Sequence, residues 1–414
     1  MDNNLSRKRA DKILLLLGIL LFFNGLGGGV AFPIIPLIGP SIGISAFFVS
    51  LILSSNRISR LFFNGVAGEI VDRFGCKGPL IIGTLIKALG VTGYALAIHS
   101  PVFPGFLFFL ARFFFGIGSA FGFITVYTLM FHLTEKENRG SRTAYIRTAS
   151  LIGFPAGLFF GGLIANYFGF TAAFLLAASF LYLLTILAFY IIPRLEIAQK
   201  TTSLTPLEAI KLAASDPSVL KISMVNLLER FSIGGVFLAT TALFVKHYEI
   251  QIFNLGVDGM SGFLMASLMF AKGLSTLSIG KKIDAAKTRT IFSILGAILG
   301  GIGFLIWAIY PTLHVVIISL LLLGICSGIL SSPLLTLLGD VSRVKLRGRT
   351  LGIYQVFGDI GASLGPIFGI NIAELLGFSI TYIIVAILLT SSLLLIIPLY
   401  RKEILNYQEN KEII

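Results

Sequence analysis

Nine ionisable side chains stand where the neighbouring sequence is apolar enough to exclude water. Seven are cationic (Arg57, Arg60, Lys87, Arg112, Arg147, Arg230 and Lys272) and two are acidic (Glu229 and Asp359). Charge inside an apolar span is expensive and marks a functional position by default. Arginine offers forked hydrogen bonds that suit carboxylates and phosphates. The excess of cations therefore points to an anionic ligand, such as a polycarboxylate, a phosphate ester or an anionic head group. The competing reading is that backbone carbonyls and water satisfy the cations and that the ligand is neutral or cationic. Arg57, Arg112, Arg230 and Lys272 are too deep to snorkel; they either touch substrate or pair with Glu229, Asp359 or backbone carbonyls. Asn24, the only strongly polar side chain between Ile13 and Leu37, joins the substrate set. If a proton is exchanged at this depth, Glu229 is the candidate to carry it; the alternative is that it only neutralises a nearby arginine.

The elements that must position these residues follow from composition. Of 414 residues, 56% are apolar and only 12% charged, and mean hydropathy is +0.94. A soluble domain carries about 25% charged residues, so a large soluble enzyme is excluded. Helical membrane spans of about 20 residues are expected near 13–38, 45–67, 79–99, 103–131, 142–166, 170–192, 220–246, 257–279, 290–309, 313–338, 350–375 and 378–399. This gives an all-α membrane protein with twelve transmembrane helices. Its expected divisions are a cytoplasmic tail (1–12), a six-helix half (13–193), a cytoplasmic linker (194–219), a second half (220–400) and a second tail (401–414).

Net charge is +13, but placement decides its meaning. With the N-terminus inside, 24 of the 32 Lys and Arg fall in tails and even-numbered loops, seven in spans, and one, Lys246, at an external end. That is positive-inside asymmetry, so nucleic acid is not implied, and a bacterial inner membrane with both termini cytoplasmic is expected. The apolar run after Lys12 continues to Leu37, too long for a cleaved signal peptide. Cys76 and Cys326 form no disulfide or metal framework. His99, His132, His247 and His314 lie near helix ends without clustered acids. Gly39-Pro40-Ser41-Ile42-Gly43 matches a nucleophile-elbow pattern but lacks the strand-turn-helix setting. No catalytic residue, metal or cofactor is expected; a polytopic membrane transferase is the alternative of another class.

Shifting the sequence by 208 aligns residues 116–178 with 324–386 without a gap, with 17 of 63 positions identical. Arg139-Gly140 falls on Arg347-Gly348, and Gly153, Gly157 and Gly161 fall on Gly361, Gly365 and Gly369. An unbroken register across three helices implies duplication, hence two six-helix pseudo-repeats. The glycines recur every four residues, so each set shares a helix face and admits close backbone approach. They serve either simple tight packing or a smooth surface on which one half rocks against the other.

The loop after the second span reads Gly68-Glu69-Ile70-Val71-Asp72-Arg73-Phe74-Gly75-Cys76-Lys77. Gly75 permits a tight reversal, and Asp72 can satisfy amide donors at a neighbouring helix N-terminus. A weaker copy, Gly280-Lys281-Lys282-Ile283-Asp284 with Arg289, follows the eighth span, and Arg112 opens the run Arg112-Phe113-Phe114-Phe115-Gly116. With these motifs the chain resembles the major facilitator superfamily, in its drug and organic-compound antiporter branch. Cys76 replaces a usual basic residue, so the charge relay rests on Lys77. Leu158 replaces the proline of the antiporter motif, which the eleventh helix keeps as Gly365-Pro366.

The resemblance implies a secondary carrier working by alternating access, with export of a small organic molecule ahead of uptake or exchange of an organic anion. It implies a monomer in membrane lipid. Gly68, Asp72, Arg73, Gly75, Lys77, Gly280 and Asp284 become conformational-switch residues, with Asp72 at the N-terminus of helix eleven. Helices three, six, nine and twelve become peripheral, so Lys87 is expected to snorkel or to pair structurally. Arg60 lies 12 residues, roughly 18 Å, before Asp72, and Asp359 lies roughly 15 Å into helix eleven. Because the family packs helices two and eleven together, Arg60 and Asp359 are expected to form a cytoplasmic-side gate.

Overall fold

The computed structural model describes residues 7–134, 139–192, 205–252, 255–286, 288–309, 311–342 and 347–412. Twelve helices are long and apolar enough to cross a membrane: α1 (Asp11–Ser41), α2 (Ala46–Phe74), α3 (Lys77–Ile98), α4 (Pro104–Met130), α5 (Thr148–Phe168), α6 (Phe170–Ile191), α7 (Pro217–His247), α8 (Val257–Ile279), α9 (Thr290–Ile309), α10 (Leu313–Val341), α11 (Thr350–Leu376) and α12 (Phe378–Leu405). Each overlaps one expected span. Many large apolar side chains remain exposed, among them Leu89, Leu183, Ile186, Leu277 and Ile387; these are what a bilayer covers.

Local sequence sets the ends. Ser45 caps α2 by accepting the Phe48 amide, and Asp216 caps α7 by accepting those of Ser218 and Val219, with Pro217 at the first helical position. Between α6 and α7 a short helix, Pro206–Ala214, opens with a Thr205–Glu208 capping box. The α2–α3 reversal occurs at Gly75, whose φ of 74° is the left-handed backbone that glycine tolerates.

Three spans are irregular at mid-length; in α12, regular helix stops at Ser391 and resumes at Leu393. In α1, regular helix stops at Gly29 and resumes at Ala31. Pro33, four residues beyond Gly29, lacks the amide that would bond its carbonyl. In α7, residues Arg230–Phe237 form a π-helix between Pro217–Glu229 and Leu238–His247.

The chain divides into two compact units: Met1–Ser203 with Phe253–Ala266, and Leu204–Ile252 with Ser267–Ile414. In the first, Ile13, Leu17 and Leu20 of α1 meet Val71, Leu80, Val126, Leu129 and Leu184 from α2, α3, α4 and α6. The start of α8 belongs to this unit because glycines let it lie against α5: a Cβ on Gly162 would strike the Asp258 carbonyl, and one on Gly262 the Leu158 carbonyl. In the second, Phe237, Phe244, Trp307 and Tyr382 form an aromatic core joining α7, α9 and α12.

Candidate functional site

The deepest charges of the second unit form one cluster. Glu229 is buried at the last α-helical residue before the π-turn of α7. Lys272 of α8 donates to its Oε1 at 2.9 Å, and the Ser327 hydroxyl of α10 donates to the same oxygen. Arg230 Nε lies 3.7 Å from Oε2. Two of the four cations expected either to touch substrate or to pair thus have Glu229 as their partner. Asp359 of α11 is also buried, and its own carbonyl accepts from Ser363.

The first unit is arranged differently. Arg112 of α4 is fully buried. Its guanidinium carbon lies 5.1 Å from the Phe32 ring centre, 5.8 Å from Phe115 and 6.0 Å from Tyr94. Among the described residues the Tyr94 hydroxyl is its one hydrogen-bond acceptor, at 3.4 Å, and Nε and Nη2 have none. No carboxylate pairs with Arg112 among the described residues. Aromatic faces offer a cation some attraction, but they cannot accept its in-plane hydrogen bonds.

Of the two expectations for Lys87, snorkelling and structural pairing, the structure shows pairing. The residue is 2% exposed, and its Nζ donates to Asn24 Oδ1 at 2.8 Å. Gly118 and Gly122 of α4 make the passage: a Cβ on Gly118 would strike the Lys87 stem, and one on Gly122 its ammonium. Asn24, expected to face substrate, is thereby tied to α3. Arg57 and Arg60 are half-buried on α2. Arg60 belongs to the first unit and Asp359 to the second.

The close approaches reveal which positions of the two units correspond. Phe22, Leu26 and Val30 of α1 lie against Gly153, Gly157 and Gly161; Leu227, Phe231 and Val236 of α7 lie against Gly361, Gly365 and Gly369. Both glycine sets therefore face the first helix of their own unit at close backbone approach. The match places Asn24 at the position of Glu229. Asn56 and Ser59 meet Gly116 as Leu268 and Ala271 meet Gly324, so Arg60 corresponds to Lys272 and Ser119 to Ser327. Gly118 meets Lys87 as Cys326 meets Gly300, so Lys87 has no side chain opposite it in the second unit. Pro366 is buried within α11.

The Gly68–Lys77 segment ends α2 and turns at Gly75. Cys76 is buried, with its thiol 3.8 Å from the Thr125 carbonyl; a basic side chain there would be enclosed, which accounts for the departure from the motif. Burial, with the negative charge of Asp72 behind it, pushes the Cys76 thiol up to about 12. Arg73 and Lys77 lie over the rings of Phe74 and Phe189. In the second copy the side chain of Asp284, Gly280 and Lys281 lie outside the described residues, as does the side chain of Arg147. Arg289 pairs with Asp340, and Glu403 accepts the amides of Arg289 and Thr290 at the start of α9.

Sequence reasoning missed Phe32, Tyr94, Phe115 and Ser327. Aromatic residues are abundant here, with 37 Phe and 12 Tyr, so no spacing distinguished these three. The register that sets Ser119 on Ser327 was the available signal for the fourth.

Comparisons agree with this architecture. The sequence model described as Major Facilitator Superfamily matches residues 17–366 and 251–412. The chain is similar to "Multidrug resistance protein 2" of Bacillus subtilis, 23% identical over 89% of this chain and 90% of that protein. It is also similar to "Multi-drug resistance efflux pump PmrA" of Streptococcus pneumoniae, 26% identical over 86% of this chain and 88% of that one. Among solved structures, the nucleoside transporter NupG superposes with a TM-score of 0.73 at 17% identity, over 92% of this chain and 98% of that one. The chain is a multi-pass membrane transporter of small molecules and not an enzyme, and it belongs to the Major Facilitator Superfamily.

Proposed function

We propose that the chain exports a small organic solute bearing at least one acidic group, acting as a monomer by alternating access between two faces of a bacterial inner membrane. The observation that carries the acidic group is Arg112: a fully buried guanidinium with two nitrogens lacking any acceptor and no carboxylate partner among the described residues. Such a cation is costly to leave unanswered, and a substrate carboxylate or phosphate admitted when the aromatic ring cluster opens would answer it in forked geometry. The relatives named for multidrug resistance support the outward direction. The positive-inside distribution supports cytoplasmic termini.

A binding screen of matched carboxylic acids and their methyl esters tests the charge. Acids are expected to bind more tightly, with the preference lost in Arg112→Ala. Esters binding equally well, with Arg112→Ala unchanged, would reject the acidic cargo in favour of a neutral or cationic one. Comparing metabolites inside cells and in medium between a deletion strain and its parent tests direction. Export predicts intracellular accumulation on deletion; depletion inside with excess outside would indicate uptake.

A further inference from the structure

Among the described residues the first unit holds a buried base with no acid to answer it, where the second unit holds an acid–base pair. Glu229 answers Lys272 within α7 and α8. At the matching place α1 offers only the amide of Asn24, and α3 sends in Lys87, for which the second unit has Gly300. The exchange is sterically matched: Lys87 passes over Gly118 and Gly122, whereas Gly300 faces the larger Cys326. Lys87 thus occupies a prepared passage and is not a surface lysine folded inward.

Its surroundings contain no negative charge among the described residues. From α1 comes Asn24; from α4 come Gly118 and Gly122; from α2 comes Arg60, whose positive charge acts on the ammonium. The α6 helix meets α3 through Tyr182, whose hydroxyl pairs with Thr92. An ammonium with a single neutral acceptor is held poorly in an apolar interior. Lysine, unlike arginine, can give up its proton inside a protein.

Asn24 supplies the second half of the argument. Its Oδ1 accepts from the ammonium, while its Nδ2 is buried without a partner and lies beside the same Gly122 passage. An amide carries an acceptor and donors on one rotatable plane. Turned over, it would donate Nδ2–H to the lone pair of a neutral amine at the same position. A carboxylate would favour the ammonium strongly over the neutral amine; an asparagine, being uncharged, holds the two forms more evenly.

We propose that Lys87 is a proton-exchange site of this carrier, releasing one proton from its ammonium to water and taking one back, with Asn24 turning its amide to hold either form. No other bond is made or broken. The proposal rests on the chain being a secondary carrier and not on the charge of its cargo, and it assigns proton exchange to the first unit in place of Glu229.

The test is a potentiometric difference titration of the full-length purified protein in detergent, with protons as the only probe. Between roughly pH 6 and pH 9, where a buried lysine can titrate, wild type is expected to bind one proton per molecule more than Lys87→Met on acidification. Asn24→Asp would place beside Lys87 the fixed negative charge that Lys272 has in Glu229, and it is expected to remove the same one-proton step. Identical curves for wild type and Lys87→Met would overturn the proposal. Should Lys87→Met fail to fold, an Asn24→Asp curve that still contains the step would overturn it. Neither titration uses a substrate, so a mistaken cargo leaves the result standing.

Discussion

Asn24 stands in the first unit where Glu229 stands in the second, each two residues beyond the residue that packs on the first glycine of its set, Phe22 on Gly153 and Leu227 on Gly361. Duplication built the same frame twice, and the chemistry at this position then diverged. The second unit keeps an ion pair inside the frame. The first keeps a neutral amide and a lysine drawn from a different helix.

The ion pair should reveal itself by unequal effects of single and double substitution. Glu229→Gln leaves the half-buried Lys272 without its acid, an arrangement that costs up to about 3–5 kcal/mol where the charge is fully enclosed. Glu229→Gln combined with Lys272→Met removes both charges and is expected to recover much of that loss, as read by thermal unfolding in detergent. Losses that simply add would show that the two residues do not interact. In vesicles, Glu229→Gln is expected to impair counterflow and pH-driven accumulation together, as a structural pair would. Accumulation lost with counterflow intact would instead return the proton to Glu229.

A second prediction concerns pH at the α2–α3 turn. The Cys76 thiol is held near 12, mainly by burial and secondarily by Asp72, and only thiolate reacts with maleimide. In a Cys326→Ser background, labelling at pH 7 should be slow and should rise steadily through pH 9 without a plateau. Asp72→Asn removes the negative charge that opposes thiolate formation, so its labelling at a given pH should be faster. A plateau below pH 9 in the parent would mean that the thiol is not held up.

The twelve spans and the Gly75 reversal were legible because each rests on local chemistry: a run of apolar residues, or a backbone angle only glycine takes easily. The pairing of Glu229 with Lys272 was less legible, since depth along a helix says nothing about its rotation. Whether Lys87 snorkels or pairs was left open for the same reason, because a helix on the periphery still has one face turned inward. Gly118 and Gly122, four residues apart on α4, were visible in the sequence, but only the fold shows what passes over them. The repeat was found in the last three helices of each half and not in the first. There no single shift holds: the offset is 205 at Asn24 and Glu229, 212 at Arg60 and Lys272 and 213 at Lys87 and Gly300, and the π-turn of α7 accounts for one residue of that drift.

Glycines that admit a neighbouring backbone should behave oppositely from glycines that face open space. A Cβ at Gly157 would strike the Leu26 carbonyl, which belongs to helix backbone and cannot swing aside. Gly157→Ala should therefore cost about 1–3 kcal/mol through overpacking. Gly273, on α8, has nothing within 4 Å of its added Cβ, so Gly273→Ala should gain up to about 1 kcal/mol of helix propensity. Thermal unfolding of the two variants side by side reads the sign directly. Equal destabilisation of both would remove the close-approach account of the glycine faces.

The π-turn of α7 has a register that can be tested by deletion. In α1, Leu26 and Val30 contact Gly157 and Gly161, four residues apart on both helices; in α7, the matching contacts with Gly365 and Gly369 come from Phe231 and Val236, five residues apart. The π-turn therefore absorbs one residue that the first unit does without, and such turns concentrate at functional sites. Gly234 is the natural residue to remove, because a Cβ there would meet only the Arg230 stem at 3.8 Å. Its deletion should let α7 run as continuous α-helix with both glycine contacts kept, so that unfolding temperature falls by no more than a few degrees, about 1 kcal/mol. Deleting a residue from the regular part of α10 has no such slack and should be far more damaging, because every side chain beyond the cut turns by about 100°. If the Gly234 deletion keeps the fold but abolishes transport, the extra residue serves to set Glu229 and Arg230, which flank the start of the turn. If it unfolds the protein as the α10 deletion does, the one-residue correspondence between α1 and α7 is wrong.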